Sequence, residues 1–176
     1  MLKKPLFIAV LIVFASITSC KKALTVNFNV SDTETFTIPP NSVLNLPPII
    51  SPPISSNNWS GTFQNNNTDK NHVQGCKLTN LRLTITNPQG KSFGFVKSIH
   101  IYIQSTNLPD EEIAYIDNIP TTAGSTITLT TDNVDLTSYV KADSFTLNIQ
   151  TTLQENNSDN VDVTASMTFN VTAAVL

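Results

Sequence analysis

The strongest constraint on the fold is an alternation of apolar and polar residues late in the 176-residue chain. Every second residue from Val161 to Val175 is apolar, and the residues between them are mainly Thr, Asn, Ser and Asp. A helix would scatter these apolar residues around its circumference, whereas a β-strand places all of them on one face. We therefore predict a long strand with one face in the core, Met167 and Phe169 included, and the other in water. This is typical of an antiparallel sheet in a sandwich.

Shorter segments with the same period of two precede this strand. They predict further strands at residues 24–30, 35–38, 81–85, 99–103, 113–116, 127–129 and 145–153. We expect a turn at Ser31-Asp32, and we expect residues 81–85 and 99–103 to form a hairpin or adjacent strands after the turn at residues 87–90. Residues 135–141 are the only predicted helical turn, with Asp135 as its cap. The pattern predicts an immunoglobulin-like antiparallel β-sandwich, and a closed barrel is the structural alternative.

We predict that residues 24–176 form a single domain that contains a Pro/Asn-rich loop at residues 39–74. Two interpretations of its first part compete, an extended linker and an ordered crossover that lies along the domain. We favour the crossover, because the segment is too apolar for a free linker: it contains Leu44, Leu46, Ile49, Ile50 and Ile54. Residues 57–74 are predicted to be a polar loop.

The first twenty residues have the organisation of a secretory signal. Lys3 and Lys4 precede an apolar run at residues 6–15, which is too short for a membrane span of roughly twenty residues. The following Ile-Thr-Ser-Cys20 resembles the lipobox of bacterial lipoproteins, in which the cysteine is lipidated and begins the mature chain. We therefore expect a signal peptide at residues 1–19, lipidation of Cys20 and a short tether at residues 20–23, with the membrane as a partner through the anchor.

The charge composition argues against nucleic acid as a partner. Thirteen acidic residues outnumber ten basic ones, and Arg82 is the only arginine. No basic patch is available to bind phosphates. We expect the domain to bind a protein or a glycan.

No motif for catalysis, metal or cofactor binding is visible. His72 and His100 lack metal-ligand or triad spacing, so both are expected to be solvated, with His100 on the outward face of its strand. Cys76 is expected to be a buried, unreactive thiol. Acidic segments at residues 110–112, 132–135 and 156–162 are expected to be solvated turns rather than calcium sites. We expect no cofactor and no enzymatic activity.

Trp59 and Phe63 are the candidate ligand platform. Trp59 is the only tryptophan and stands among polar residues, as does Phe63. An aromatic in a polar loop can stack on a sugar ring, and Tyr102 is expected to share that surface. The alternative is that Trp59 folds down and covers the edge of the core, as large aromatics usually do.

The last hundred residues resemble a group of uncharacterised lipoproteins of Bacteroidota-type bacteria. The resemblance is carried by residues 83–90, 93–103 and 135–140, which read LTITNPQG, FGFVKSIHIYI and DLTSYV. It supplies no functional residues. In such bacteria, acidic residues after the lipidated cysteine resemble a surface-export signal. Lys21 and Lys22 stand there instead, which implies an outer-membrane lipoprotein facing the periplasm.

The functional expectation is a membrane-anchored binding or accessory domain. The alternative within the binding proteins is a fimbrial or adhesin-type structural subunit, in which the C-terminal strand is exchanged between copies. A cryptic hydrolase is the least favoured class, because no acid, base or nucleophile is evident.

Overall fold

A computed structural model describes residues 24–41 and 46–176 of the chain. The strands are β1 (Thr25–Ile38), β2 (Ile49–Ile50), β3 (Ile54–Ser55), β4 (Val73–Asn87), β5 (Val96–Gln104), β6 (Glu111–Ile116), β7 (Thr126–Thr128), β8 (Thr130–Thr131), β9 (Ser144–Leu153) and β10 (Val161–Ala174). Two short α-helices are α1 (Ser60–Asn65) and α2 (Thr137–Lys141). The predicted signal peptide, Cys20 and the tether lie outside the described residues.

The strands form two antiparallel sheets, which confirms the all-β, sandwich-like part of the prediction. Sheet 1 has the order β1-β10-β4-β7, and sheet 2 has the order β2-β9-β5-β6-β8, with β3 also paired to β9. Buried apolar side chains from both sheets belong to one hydrophobic core. None of the helices in the described part of the chain has the length and apolar character needed to span a membrane.

The predicted long strand is confirmed as β10, which is an inner strand of sheet 1. From Val161 to Ala173 every second residue is apolar and buried, and the polar residues between them are partly or fully exposed. Met167 and Phe169 are both in the core. β10 pairs with β1 on one side and with β4 on the other, so its buried face contributes to the centre of the sandwich.

The turn predicted at Ser31-Asp32 does not form. β1 pairs with β10 without interruption from Thr25 opposite Ala174 to Ile38 opposite Val161. The turn propensity of Ser and Asp is local and weak, and here the continuous ladder with β10 overrides it.

The predicted pairing of residues 81–85 with residues 99–103 is wrong. The first segment belongs to β4 in sheet 1 and the second to β5 in sheet 2. The turn at residues 87–90 does form, with Gly90 at a φ of +80°, but a 3-10 helix at Phe93–Phe95 then carries the chain across to the other sheet. Both phenylalanines are buried. Gly94 allows this close crossing, because a Cβ atom there would lie 2.2 Å from the Thr121 carbonyl oxygen.

The segment at residues 39–74 is more regular than predicted. The crossover is ordered where it is described, since β2 and β3 both pair with β9. Residues 57–74 are not a polar loop: they contain part of a 3-10 helix at Ser56–Trp59, then α1, a 3-10 helix at Lys70–His72 and the start of β4. The Ser55 side chain accepts from the Asn57 N–H and caps the first helix.

The predicted helical turn at residues 135–141 is confirmed as α2, although it is not the only one. Leu136 and Val140 are fully buried one turn apart. Asp135 accepts a hydrogen bond from the Thr137 N–H at 3.1 Å, which satisfies a free donor at the start of the helix.

Candidate binding surface

Trp59 and Phe63 do not form an exposed ligand platform, because each side chain is only 2% exposed. The Trp59 ring centroid lies 4.9 Å from that of Phe169. Phe63 packs edge-to-face against Phe28 at 5.7 Å. Burial of apolar area holds both rings in the core, so the alternative stated for Trp59 is the correct one.

A small groove remains beside Phe63. Its other lining residues are polar and include Ser56, Asn57, Ser60, Gln64 and Lys70. Lys70 pairs with Asp143 at 2.9 Å. At the rim of the groove, Nδ1 of His72 lies 2.9 Å from Oδ1 of Asp69. This hydrogen bond lowers the pKa of the Asp69 carboxyl. These charged groups are already paired within the chain.

The outward face of sheet 2 carries partly exposed aromatic and polar side chains together. His100 on β5 lies opposite Tyr115 on β6. Their rings are stacked, with centroids 5.9 Å apart and planes 17° from parallel. The next row places Tyr102 opposite Glu112 on one side and Asn148 on the other. We call His100, Tyr102, Glu112, Tyr115 and Asn148 the tyrosine face.

Two carboxylates hold the imidazole of His100. Nδ1 lies 2.5 Å from Glu112 Oε1, and Nε2 lies 3.3 Å from Asp117 Oδ1. Partial burial works against the charged ring, but the hydrogen bonds to Glu112 and Asp117 and their negative charge outweigh it and raise the pKa of His100. Because both nitrogens face carboxylates, the ring is not placed to deprotonate a hydroxyl group.

Tyr102 and Asn148 form the centre of the tyrosine face. Burial, followed by the charge and hydrogen bond of Glu112, raises the pKa of the Tyr102 phenol, which stays neutral. The Oδ1 atom of Asn148 is buried without a hydrogen-bond partner. Ile50 pairs with Asn148 and is 52% exposed. The row from Ile50 to Glu112 crosses four strands, about 14 Å at a strand spacing of about 4.8 Å.

The outward face of sheet 1 has a different chemistry. Its described strands present mainly Thr and Asn side chains there, and no aromatic residue. Many of these side chains bond to one another, as Asn170 does to Asn29 at 3.0 Å and Thr37 to Asp162 at 2.7 Å. The two faces therefore differ in what they can offer to a ligand.

Several other described residues with reactive or charged side chains are buried or bonded to neighbours within the chain. Burial and the nearby Asp135 raise the pKa of the Cys76 thiol to about 12, so it is unreactive at neutral pH. Lys91 bonds to Asp159 at 3.0 Å, and Gln104 bonds to Asp110. No group of three or more His, Cys, Asp or Glu residues suited to a metal ion occurs within residues 24–41 and 46–176.

Comparison with known proteins gives no family. No protein-family model matches the chain, and no curated protein matches it. Among solved structures, it is similar to the acid-stable capsid of Helicobacter pylori bacteriophage KHP30, with 12% identity, a TM-score of 0.37 and coverage of 83% of this chain and 92% of that one. It is also similar to the empty head of turnip yellow mosaic virus, with 13% identity, a TM-score of 0.27 and coverage of 99% and 92%. TM-scores this low do not establish a shared fold.

Proposed function

We propose that this chain is a lipid-anchored, non-enzymatic protein of the bacterial outer membrane, facing the periplasm, that binds a glycan through the tyrosine face. One observation carries the proposal: stacked aromatic rings, a carboxylate and an amide lie together on one exposed sheet face. The opposite face has no such combination.

The chemistry of the tyrosine face suits a saccharide. Aromatic rings pack against the apolar faces of sugar rings, while carboxylates and amides bond to hydroxyl groups. Asn148 adds an amide to this face, and its buried Oδ1 is an acceptor that has no hydrogen-bond partner within the described part of the protein. Because His100 is held by Glu112 and Asp117, little further entropy of this side chain is lost on binding.

The binding test removes the two partly exposed tyrosines. Tyr102→Ala with Tyr115→Ala should weaken binding to a panel of neutral oligosaccharides by at least tenfold, while the protein keeps the circular dichroism spectrum of the native fold. Arg82→Ala with Thr84→Ala, on the outward face of sheet 1, is the matched control and should bind as the native protein does. If the native protein binds no glycan, the glycan proposal fails. A pull-down from membrane extract would then identify a protein partner.

The anchor has a separate test in cells. Cys20→Ala should release the protein from the membrane fraction and remove the mass of the lipid. Cys76→Ala changes the other cysteine and should leave the membrane association intact. Unchanged association and mass in the Cys20 variant would refute the anchor, because stable attachment depends on the acyl chains.

We also propose that the two sheets form an immunoglobulin-like sandwich. Their antiparallel pairing and shared core support this. The strand connections in an experimental structure would test it.

The fimbrial or adhesin-type alternative ranks lower. It requires exchange of the C-terminal strand between copies, whereas β10 pairs on both edges within its own chain. Exchange would therefore break two ladders before forming new ones. Concentration-dependent oligomers that disappear when residues 170–176 are removed would favour it.

A further inference from the structure

Two large apolar side chains are exposed at one corner of sheet 1. Leu24 is 71% exposed and Leu176 is 72% exposed. They lie where β1 begins and β10 ends, and the Val175 N–H bonds to the Leu24 carbonyl oxygen at 2.8 Å. We call these two residues the leucine corner. Removing apolar area from water is favourable, so these two side chains are available to contact an apolar phase.

The proposed anchor lies close to the leucine corner. Only Lys21, Lys22 and Ala23 separate Cys20 from Leu24. A chain extends by at most 3.3–3.6 Å per residue, so Leu24 can lie no further than about 14 Å from the Cys20 backbone. Two lysines in this interval also favour an anionic lipid surface.

We infer that the leucine corner docks onto the lipid bilayer, so that this end of the domain faces the membrane. The inference rests on the lipid anchor of the proposed function. β4 begins near the leucine corner, where Val73 pairs with Ala173, and it ends at the other end of β10, where Asn87 pairs with Asp162. In this orientation sheet 1 therefore projects away from the membrane. Its length is about 45 Å at roughly 3.3 Å per residue.

This orientation places the other parts of the domain. α1 lies at the membrane end, since the Leu176 N–H bonds to the Asn67 carbonyl oxygen at 2.9 Å and the Thr68 hydroxyl bonds to the Ala174 carbonyl oxygen at 2.6 Å. The turn at residues 87–90 lies at the far end. The tyrosine face is on the side of the domain and stays open to a ligand.

Fluorescence quenching in vesicles tests the orientation. The full lipidated protein is labelled through Asn65→Cys or Gln89→Cys, two exposed positions at opposite ends. Cys76 is buried and does not compete for the label. The vesicles contain phosphatidylethanolamine, phosphatidylglycerol and a lipid with a nitroxide headgroup. Quenching at position 65 should be at least threefold stronger than at position 89. Equal or reversed quenching would overturn the inference.

A second variant separates docking from tethering. Leu24→Ser with Leu176→Ser should lower quenching at position 65 at least twofold, while the protein still sediments with the vesicles. Ile50→Ser, at the exposed isoleucine of sheet 2, is the control and should change nothing. Unchanged quenching in the double variant would mean that the tether alone sets the orientation, and docking would be refuted. If the native protein does not sediment, the anchor itself fails, and the docking inference fails with it.

Discussion

The indole N–H of Trp59 donates a hydrogen bond to Oδ2 of Asp32 at 2.6 Å, from the helical segment to the edge strand β1. Asp32 and Glu34 are partly buried on the same side of β1 as the core residues Val30 and Phe36. A carboxylate in such a position is costly unless it is hydrogen bonded. Trp59 supplies that bond, which helps β1 to continue through a sequence that favours a turn.

Asp32→Ala should reduce the free energy of unfolding by about 1–3 kcal/mol, because it leaves the buried indole N–H without an acceptor. Urea denaturation measures the loss. Glu34→Ala is the control, since it removes the neighbouring acid without affecting the Trp59 bond. Equal losses in the two variants would contradict a specific role for this bond.

Glu34→Gln should raise the melting temperature at neutral pH. Burial and then the charge of Asp32 raise the pKa of Glu34 in the folded protein. Because this pKa is higher in the folded than in the unfolded protein, the carboxyl favours folding at a pH below its unfolded pKa of about 4.3. This contribution is lost as the pH rises through the pKa of the folded state. The gain should therefore disappear in acid. Melting curves from acid to neutral pH measure it, and the exposed Glu155→Gln should show no such gain.

Phe169→Ala should cost about 3–5 kcal/mol of unfolding free energy, since it leaves a cavity at the centre of the core. The ring contacts Trp59 and Phe145 and is fully buried. Chemical denaturation measures the loss, and Phe28→Ala, at a partly buried ring of the edge strand, should cost less. A loss below about 1 kcal/mol would show that the core is not packed around Phe169.

His100→Gln should lower the melting temperature most at about pH 5–6 and progressively less as the pH rises. Because the pKa of His100 is raised in the folded protein, its contribution to stability is fully present at a pH below its unfolded pKa of about 6.5. That contribution is lost as the pH rises through the pKa of the folded state. His72→Gln is the control, because its ring is more exposed than that of His100 and the effect should be smaller. If the melting temperatures of the native protein and the His100 variant differed by the same amount at every pH, a charged His100 would not be the cause.

Strands with strict alternation could be predicted from the sequence because their pattern and their tertiary role agree. β10 and β9 are examples, and α2 was indicated by the one-turn spacing of Leu136 and Val140, although Leu136 and not Asp135 occupies its N-cap position. The helices around Trp59 could not be predicted, since they are only one or two turns long and their apolar residues have no periodicity. The sheet change after residues 87–90 was also hidden, because a turn motif does not reveal which sheet the next strand joins.

The candidate site could be predicted only in part. The alternation of residues 99–103 placed His100 and Tyr102 on the outward side, as the structure has them. Their partners Glu112 and Tyr115 depend on the register with β6, which shifts between Ile101 and Tyr102. A local pattern contains no information about such a bulge. Trp59 was misplaced because its polar neighbours suggested exposure, whereas its partner Phe169 is distant in the sequence.

The central place of β10 in sheet 1 has a consequence for how the chain folds. The bond from Asn170 to Asn29 joins residues 141 positions apart, so β1 must wait for β10 before it has a neighbour in its sheet. Such distant pairings raise the contact order and slow folding. While the chain is still incomplete, β1 therefore has no partner in its sheet, and we expect β1 to resist proteases only once residues 161–174 have been added.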